Sequence, residues 1–401
     1  MKTVDLIYFN AGGGHRAAAQ ALEEAMRQRP WRVRMVHLTE VLDPSRTFRR
    51  ITGIEPEDIY NKRLASGFTL GLTQELKLLQ GLIRLGHDAL VQRLRMHWLK
   101  TEPDLVVSLI PNFNRALFES LASALPGVPY VTVLTDMADY PPNFWIEPRQ
   151  RQHVVCGTAR AVEQAIAAGC APQRVHRVSG MILRPSFYDA APQDRNAERR
   201  VLGFDAHTPV GLVLFGGQGS KAMLGIASRL PQTPLILMCG RNAALARKLR
   251  AVPAEAPRAI VEFTPNVARW MRMADFFIGK PGPGSLSEAV HMGLPVIVTR
   301  NNWTMPQERW NTEWVRELDL GMVLHSFRTV QTAVTETTAR LAQLQANVAR
   351  VRNRAVFEVP DILARLLHGS DNTQPLQPLQ PLQHLLVNPA LSLLGPVRAP
   401  A

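Results

Sequence analysis

Short β-branched or apolar runs alternate along this chain with longer stretches in which apolar residues recur at helical spacing, the signature of a parallel sheet covered by helices. Six such runs predict strands in the first half: Val4–Phe9, Val33–Leu38, Leu105–Leu109, Tyr130–Leu134, His153–Cys156 and Val175–Val178. Six more follow: Val210–Phe215, Pro234–Cys239, Ala259–Phe263, Phe276–Gly279, Pro295–Thr299 and Gly321–Leu324. Between the two sets, residues 185–208 are polar, hold two prolines and show no strand run, which places an interdomain linker there. The expectation is therefore two α/β domains of similar size, 1–185 and 186–344, with a cleft between them. A helix at 345–368 is a candidate to complete the first.

Composition narrows the class. Hydrophobic residues at 46% with 20% charged fit a globular chain. From residue 369 to 401 the sequence changes to three Pro-Leu-Gln units and a segment rich in Pro, Leu and Ala, which favours extended conformation and is expected to be disordered. The three cysteines, Cys156, Cys170 and Cys239, form no C-x-x-C pair and read as packing thiols in a reducing compartment. The N-terminus meets glycines after one short apolar run and reads as a first strand, and no run reaches the ~18 apolar residues that span a bilayer. The expected location is cytoplasmic, either free or peripheral on the inner face of the cell membrane.

Charge calls for an anionic partner. Lys and Arg number 46 against 33 Asp and Glu, a net charge of +13. The excess is diffuse apart from residues 60–100, which carry eleven Leu and seven Lys/Arg against two Asp/Glu. Apolar positions there recur at helical spacing with basic residues between them, the pattern of a segment lying on an anionic membrane surface. A core helix with a solvated basic face fits the same pattern. Nucleic acid is not expected, because the aromatic residues do not interleave with the basic ones as stacking platforms do.

Three glycine-rich loops each follow a predicted strand and precede a helix: residues 11–17 (Ala-Gly-Gly-Gly-His-Arg-Ala), 215–220 (Phe-Gly-Gly-Gln-Gly-Ser) and 280–285 (Lys-Pro-Gly-Pro-Gly-Ser). Glycine lets backbone approach a ligand, and a helix start favours an anion. The first loop also fits a dinucleotide fingerprint, but Glu40, the nearby acidic residue, lies further on than a nicotinamide site needs. Tight turns without a ligand are the plain alternative.

The residues resemble a family. Gly12-Gly13-Gly14-His15, Cys239-Gly240-Arg241-Asn242, the run Gly282–Ala289 and Gly293-Leu294-Pro295 look like the inverting glycosyltransferases that include monogalactosyldiacylglycerol synthases and bacterial diacylglycerol glucosyltransferases. Pro103–Ser108, Thr135-Asp136 and Arg184–Phe187 extend the likeness over residues 5 to about 325. A more distant likeness is to the N-acetylglucosaminyltransferase that makes the lipid-linked peptidoglycan precursor. The resemblance implies a GT-B architecture, two Rossmann-like domains facing across a cleft, with a UDP-sugar in the second.

Roles follow from that resemblance together with the chemistry of the residues. Glu288 is expected on the ribose hydroxyls, with Gly282, Gly284 and Ser285 presenting the helix start to the diphosphate; a capping box between Ser285 and Glu288 is the structural alternative. Gly14, Gly217, Gln218 and Ser220 line the other two loops. Gln307 and Glu308 suit donor-sugar hydroxyls, which both donate and accept; an exposed polar helix start is the alternative. Phe263 and Thr264 are placed near the uracil, Arg241 and Arg184 near the phosphates. His15 is the candidate base for the acceptor hydroxyl, its position at a helix start keeping the imidazole neutral, and Asp136 either orients it or is itself the base. No cofactor and no metal are expected. The acceptor suggested is a lipid hydroxyl, diacylglycerol first. The segment Met137–Phe144 departs from the synthases' pattern, so a polyprenyl-linked or other small acceptor, or a non-catalytic nucleotide-sugar-binding protein, stays open.

Overall fold

The computed structural model describes residues 1–10, 14–43, 72–148, 150–189 and 194–369, without the side chains of 72–78. The Pro-Leu-Gln tail beyond 369 and residues 60–71 of the basic segment lie outside the described residues. Among the described residues twelve strands form two all-parallel sheets of six, and each strand overlaps one of the twelve apolar runs. The first sheet contains β1 (Lys2–Tyr8), β2 (Trp31–His37), β3 (Leu105–Ser108), β4 (Tyr130–Val133), β5 (His153–Cys156) and β6 (Val175–Arg177) in the order β2-β1-β3-β4-β5-β6. The second contains β7 (Gly211–Leu214), β8 (Leu235–Gly240), β9 (Arg258–Glu262), β10 (Phe276–Gly279), β11 (Val296–Thr299) and β12 (Gly321–Leu324) in the order β12-β11-β10-β7-β8-β9.

Strands buried on both faces explain why the runs were legible. β3, β4, β7 and β10 have no exposed position, as sheets covered by helices on both sides require. Each sheet reverses strand order once, between β1 and β3 in the first and between β10 and β7 in the second. Open parallel sheets bind ligands outside the carboxyl ends of strands at such reversals. The glycine loops of residues 216–220 and 280–284 follow β7 and β10 at a reversal point, and Gly14 opens the helix that comes after β1 at the other.

The described residues of the linker contain no strand; they hold a 3-10 turn, Pro185–Phe187, and a helix, Arg195–Val201. That helix is fixed to the second domain by Arg195 and the buried Arg199, both paired with Asp275 at the start of β10. Asp275 also accepts from the Val210 amide at 2.7 Å. The charges that made the segment look like solvated linker are spent on this network.

The C-terminal helix Ala355–Leu367 crosses back to the first sheet. It buries Ala355, Val356, Val359, Ile362 and Leu363 in one cluster with Val4, Leu6, Leu22 and Val107. Around the crossing, Asn353 donates to the Met181 carbonyl and Glu358 accepts from the Ser179 amide. Tyr188 packs against the cores of both domains, its ring 4.4 Å from His291 and 4.9 Å from Phe357. The three cysteines are free and buried.

Candidate active site in the interdomain cleft

On the first-domain side, the helix Gly14–Met26 starts directly after the first glycine loop. His15, in its first turn, has Nδ1 3.2 Å from Thr135 Oγ1, and its ring donates to the backbone carbonyl of Leu109. Leu109 and Thr135 follow β3 and β4, so three neighbouring strand ends converge on this imidazole. Burial holds its pKa down at about 4, against which the Leu109 bond works weakly, and the ring is neutral at pH 7.

Asp136 does not orient His15; Thr135 takes that place, and Asp136 accepts from Trp145 Nε1 at 2.8 Å. The Trp145 ring lies 6.0 Å from the His15 ring and so walls off both groups. Burial lifts the Asp136 carboxyl to about 6; the Trp145 bond lowers it, Glu308 of the second domain raises it and Lys280 lowers it. Those last two influences place Asp136 opposite the donor-side loops across the cleft.

On the second-domain side the loops interlock. The Arg241 amide donates to the Gly217 carbonyl at 2.8 Å, and Asn242 Nδ2 donates to the Gln218 carbonyl. Gly240 has φ +60°, and a Cβ there would lie 2.2 Å from the Gly217 oxygen, so this junction requires glycine. Ser220 Oγ accepts from the Ala222 amide at 3.2 Å. The Arg241 guanidinium stacks 4.2 Å above the half-exposed Phe263 ring. Thr264 Oγ1 accepts from the Asn266 amide and shapes the turn beyond Phe263.

The third loop opens the helix Pro283–His291, with Gly282 as its N-cap and no side-chain cap. Ser285 is already inside the helix, so the capping-box alternative does not occur. Gly284 faces open space, and the amides of Gly284 and Ser285 are among those an α-helix leaves without an internal partner. Glu288 is largely buried on the next turn, its carboxyl pushed up by burial and pulled back by Arg184, whose Nη2 is 4.0 Å from Glu288 Oε1. Arg184 thus reaches Glu288 and, through Nη1, the Pro265 carbonyl at 3.1 Å, joining the loop beyond Phe263 to the Glu288 helix. Its Nε is buried without a partner among the described residues.

Gln307 and Glu308 lie in the first turn of the helix Pro306–Glu317. Glu308 is 7% exposed and accepts from Lys280 Nζ at 3.0 Å. Asn311, one turn on, donates to the Pro281 carbonyl at 2.7 Å and ties this helix to the third glycine loop. The sequence reading gave no role to Thr135, Trp145, Lys280 or Asn311. Lys280 carried a signal, a cation between a strand end and a glycine loop, and Thr135 lay in the Thr135-Asp136 motif of the resemblance. Trp145 and Asn311 are brought in by tertiary contacts. Among the described residues no cluster of three or more His, Cys, Asp or Glu could hold a metal ion.

Two Rossmann-like domains with glycine loops at opposed strand ends define the GT-B glycosyltransferase fold. Solved structures agree: MurG of Acinetobacter baumannii superposes with a TM-score of 0.55 over 91% of this chain and 100% of that one, at 13% identity. Anabaena Alr3699/HepE in complex with UDP-glucose gives 0.50 over 92% and 100%, at 17% identity. No protein-family model matches the chain. By sequence the chain is a relative of the monogalactosyldiacylglycerol synthases. It is 27% identical to the chloroplastic enzyme of Spinacia oleracea over 288 residues, 68% of this chain and 53% of that protein. It is 26% identical to a probable chloroplastic one of Glycine max over 404 residues, 91% and 72% respectively. The chain thus spans about half the length of the spinach enzyme in that match.

Proposed function

We propose that this protein is an inverting glycosyltransferase that moves a hexose from a UDP-sugar to a lipid hydroxyl, diacylglycerol first among acceptors. The observation that carries the reading is the opposition of two sets of groups across one cleft. His15 and Asp136 stand on one side; the open helix start at Gly284, the Arg184–Glu288 pair and Glu308 stand on the other. The named activity of the sequence relatives supports the same reaction class, as does UDP-glucose bound to a protein of the same fold.

In this reading Glu288 binds the ribose hydroxyls, Phe263 and Arg241 flank the uracil, and Gln307 with Glu308 holds the hexose. The diphosphate lies against the amides of Gly284 and Ser285, where the helix start favours negative charge without a metal. The acceptor oxygen bonds to the anomeric carbon as the bond from that carbon to the β-phosphate oxygen breaks. UDP leaves with the electron pair, and the hydroxyl proton passes to the neutral His15, whose Nδ1 lies beside Thr135 Oγ1. A second reading makes Asp136 the base: a group at about 6 is better matched to neutral pH than one at about 4.

The acceptor would be met at a membrane surface. Helices Leu72–Leu85 and His87–Thr101 expose Leu82, Leu85 and Met96 beside Arg84, Arg93 and Lys100, with Leu85 88% exposed. Apolar side chains among basic ones suit peripheral contact with anionic lipid on the inner face of the cell membrane. No helix among the described residues is long and apolar enough to cross a bilayer. A screen of UDP-glucose, UDP-galactose, UDP-N-acetylglucosamine and UDP-glucuronate with diacylglycerol in anionic vesicles, read by mass spectrometry, tests the proposal. A glycosylated lipid from one donor is expected; none from any donor would refute it. Flotation with the same vesicles at low salt tests the membrane contact, and protein left at the bottom of the gradient would refute that part.

A further inference from the structure

Lys280 directly follows β10 at the sheet reversal, at the start of the third glycine loop, and its Nζ donates to Glu308 Oε1 at 3.0 Å. The pair joins that loop to the first turn of the helix Pro306–Glu317. Gly282 leaves it room: a Cβ there would come within 3.0 Å of Lys280 Cε and 3.5 Å of Glu308 Oε1. We propose that Lys280 is a positioning residue, whose ammonium holds the Glu308 carboxylate in place as the acceptor of donor-hexose hydroxyls, and which thereby sets hexose selectivity. This rests on the donor reading above.

Three physical points support it. First, a carboxylate as buried as that of Glu308 needs a bonded partner to fix its orientation. Lys280 Nζ is that partner, reaching in from a side chain that is 40% exposed. Second, the pair is not needed as a tether, because Asn311 already joins the same helix to the same loop through the Pro281 carbonyl. Third, one ammonium occupies Oε1 and leaves the remaining lone pairs free for sugar hydroxyls. A site built on such bonds rejects a hexose whose hydroxyl points elsewhere, because the buried acceptor is then unpaired.

Titration calorimetry with UDP and with UDP-glucose and UDP-galactose tests this on wild type, Lys280→Met and Lys280→Arg. The expected result for Lys280→Met is UDP affinity within about twofold of wild type, the preferred UDP-hexose weakened roughly tenfold, and the difference between the two hexoses flattened. Lys280→Arg should restore most of both, and adding Glu308→Gln to Lys280→Met should cost little more, since both act through one carboxylate. UDP and UDP-hexose weakening together would overturn the inference and give Lys280 to the diphosphate; no change in either would overturn it as well. Wild-type protein that bound no UDP-hexose would overturn the donor reading and the inference with it, whereas wild-type binding beside an unchanged Lys280→Met overturns the inference alone.

Discussion

Replacing Asp136 by Asn should make the protein more stable and less active. The carboxyl is held at about 6 instead of its ordinary 3.8, mainly by burial, so keeping it ionised at pH 7 costs the folded state roughly 3 kcal/mol. Asn is nearly isosteric, and its carbonyl oxygen can keep accepting from Trp145 Nε1, now 2.8 Å from the carboxylate. The sign follows from proton uptake: between about pH 4 and 6 the folded state holds a proton that the unfolded chain has lost. The penalty is absent below pH 4, grows through that window and is complete above pH 6. The variant's gain should therefore be close to zero at pH 4 and approach ~3 kcal/mol at pH 7. Chemical unfolding of both proteins from pH 4 to 7, followed by circular dichroism, measures that difference while other acids cancel. A gain independent of pH, or a loss at pH 7, would refute the reasoning. Stability gained at the expense of turnover is the expected pattern where a strained group serves function.

The same charges set the pH dependence of activity. Turnover should fall on the acid side near pH 6 as Asp136 protonates; in Asp136→Asn, residual turnover with a limb near pH 4 assigns the base to His15, and complete loss assigns it to Asp136. Arg184→Ala leaves Glu288 buried without its cation and should weaken UDP at least tenfold by calorimetry; unchanged affinity would count against the ribose assignment. Leu363→Ala, in the fully buried face of the C-terminal helix, should cost 2–5 kcal/mol by the same unfolding assay, and a cost below about 1 kcal/mol would show that this helix does not hold the first domain together.

The central strands were legible because they are short buried runs bounded by turn residues, and the loop at Gly240 because it needs close backbone approach. The junction of Gly240 with the Gly217 oxygen is such a case, written plainly as Cys239-Gly240-Arg241-Asn242. The helix Arg195–Val201 was hidden because its arginines look solvated until Asp275, far along the chain, is brought beside them. The partners within the site were hidden for the same reason. Trp145 binds Asp136 across a nine-residue loop, and Thr135 rather than its neighbour faces His15. The stacking of Arg241 on the Phe263 ring was hidden likewise, since the two lie on separate loops that only the fold brings together.

The most direct test of the central claim is UDP release by the purified chain, with the donor found in the screen, in the presence and absence of diacylglycerol vesicles. The account predicts release that depends on the lipid, matches glycolipid formed mole for mole, and is lost in Glu288→Ala. Release that ignores the lipid, or that survives in Glu288→Ala with unchanged donor affinity, would contradict it.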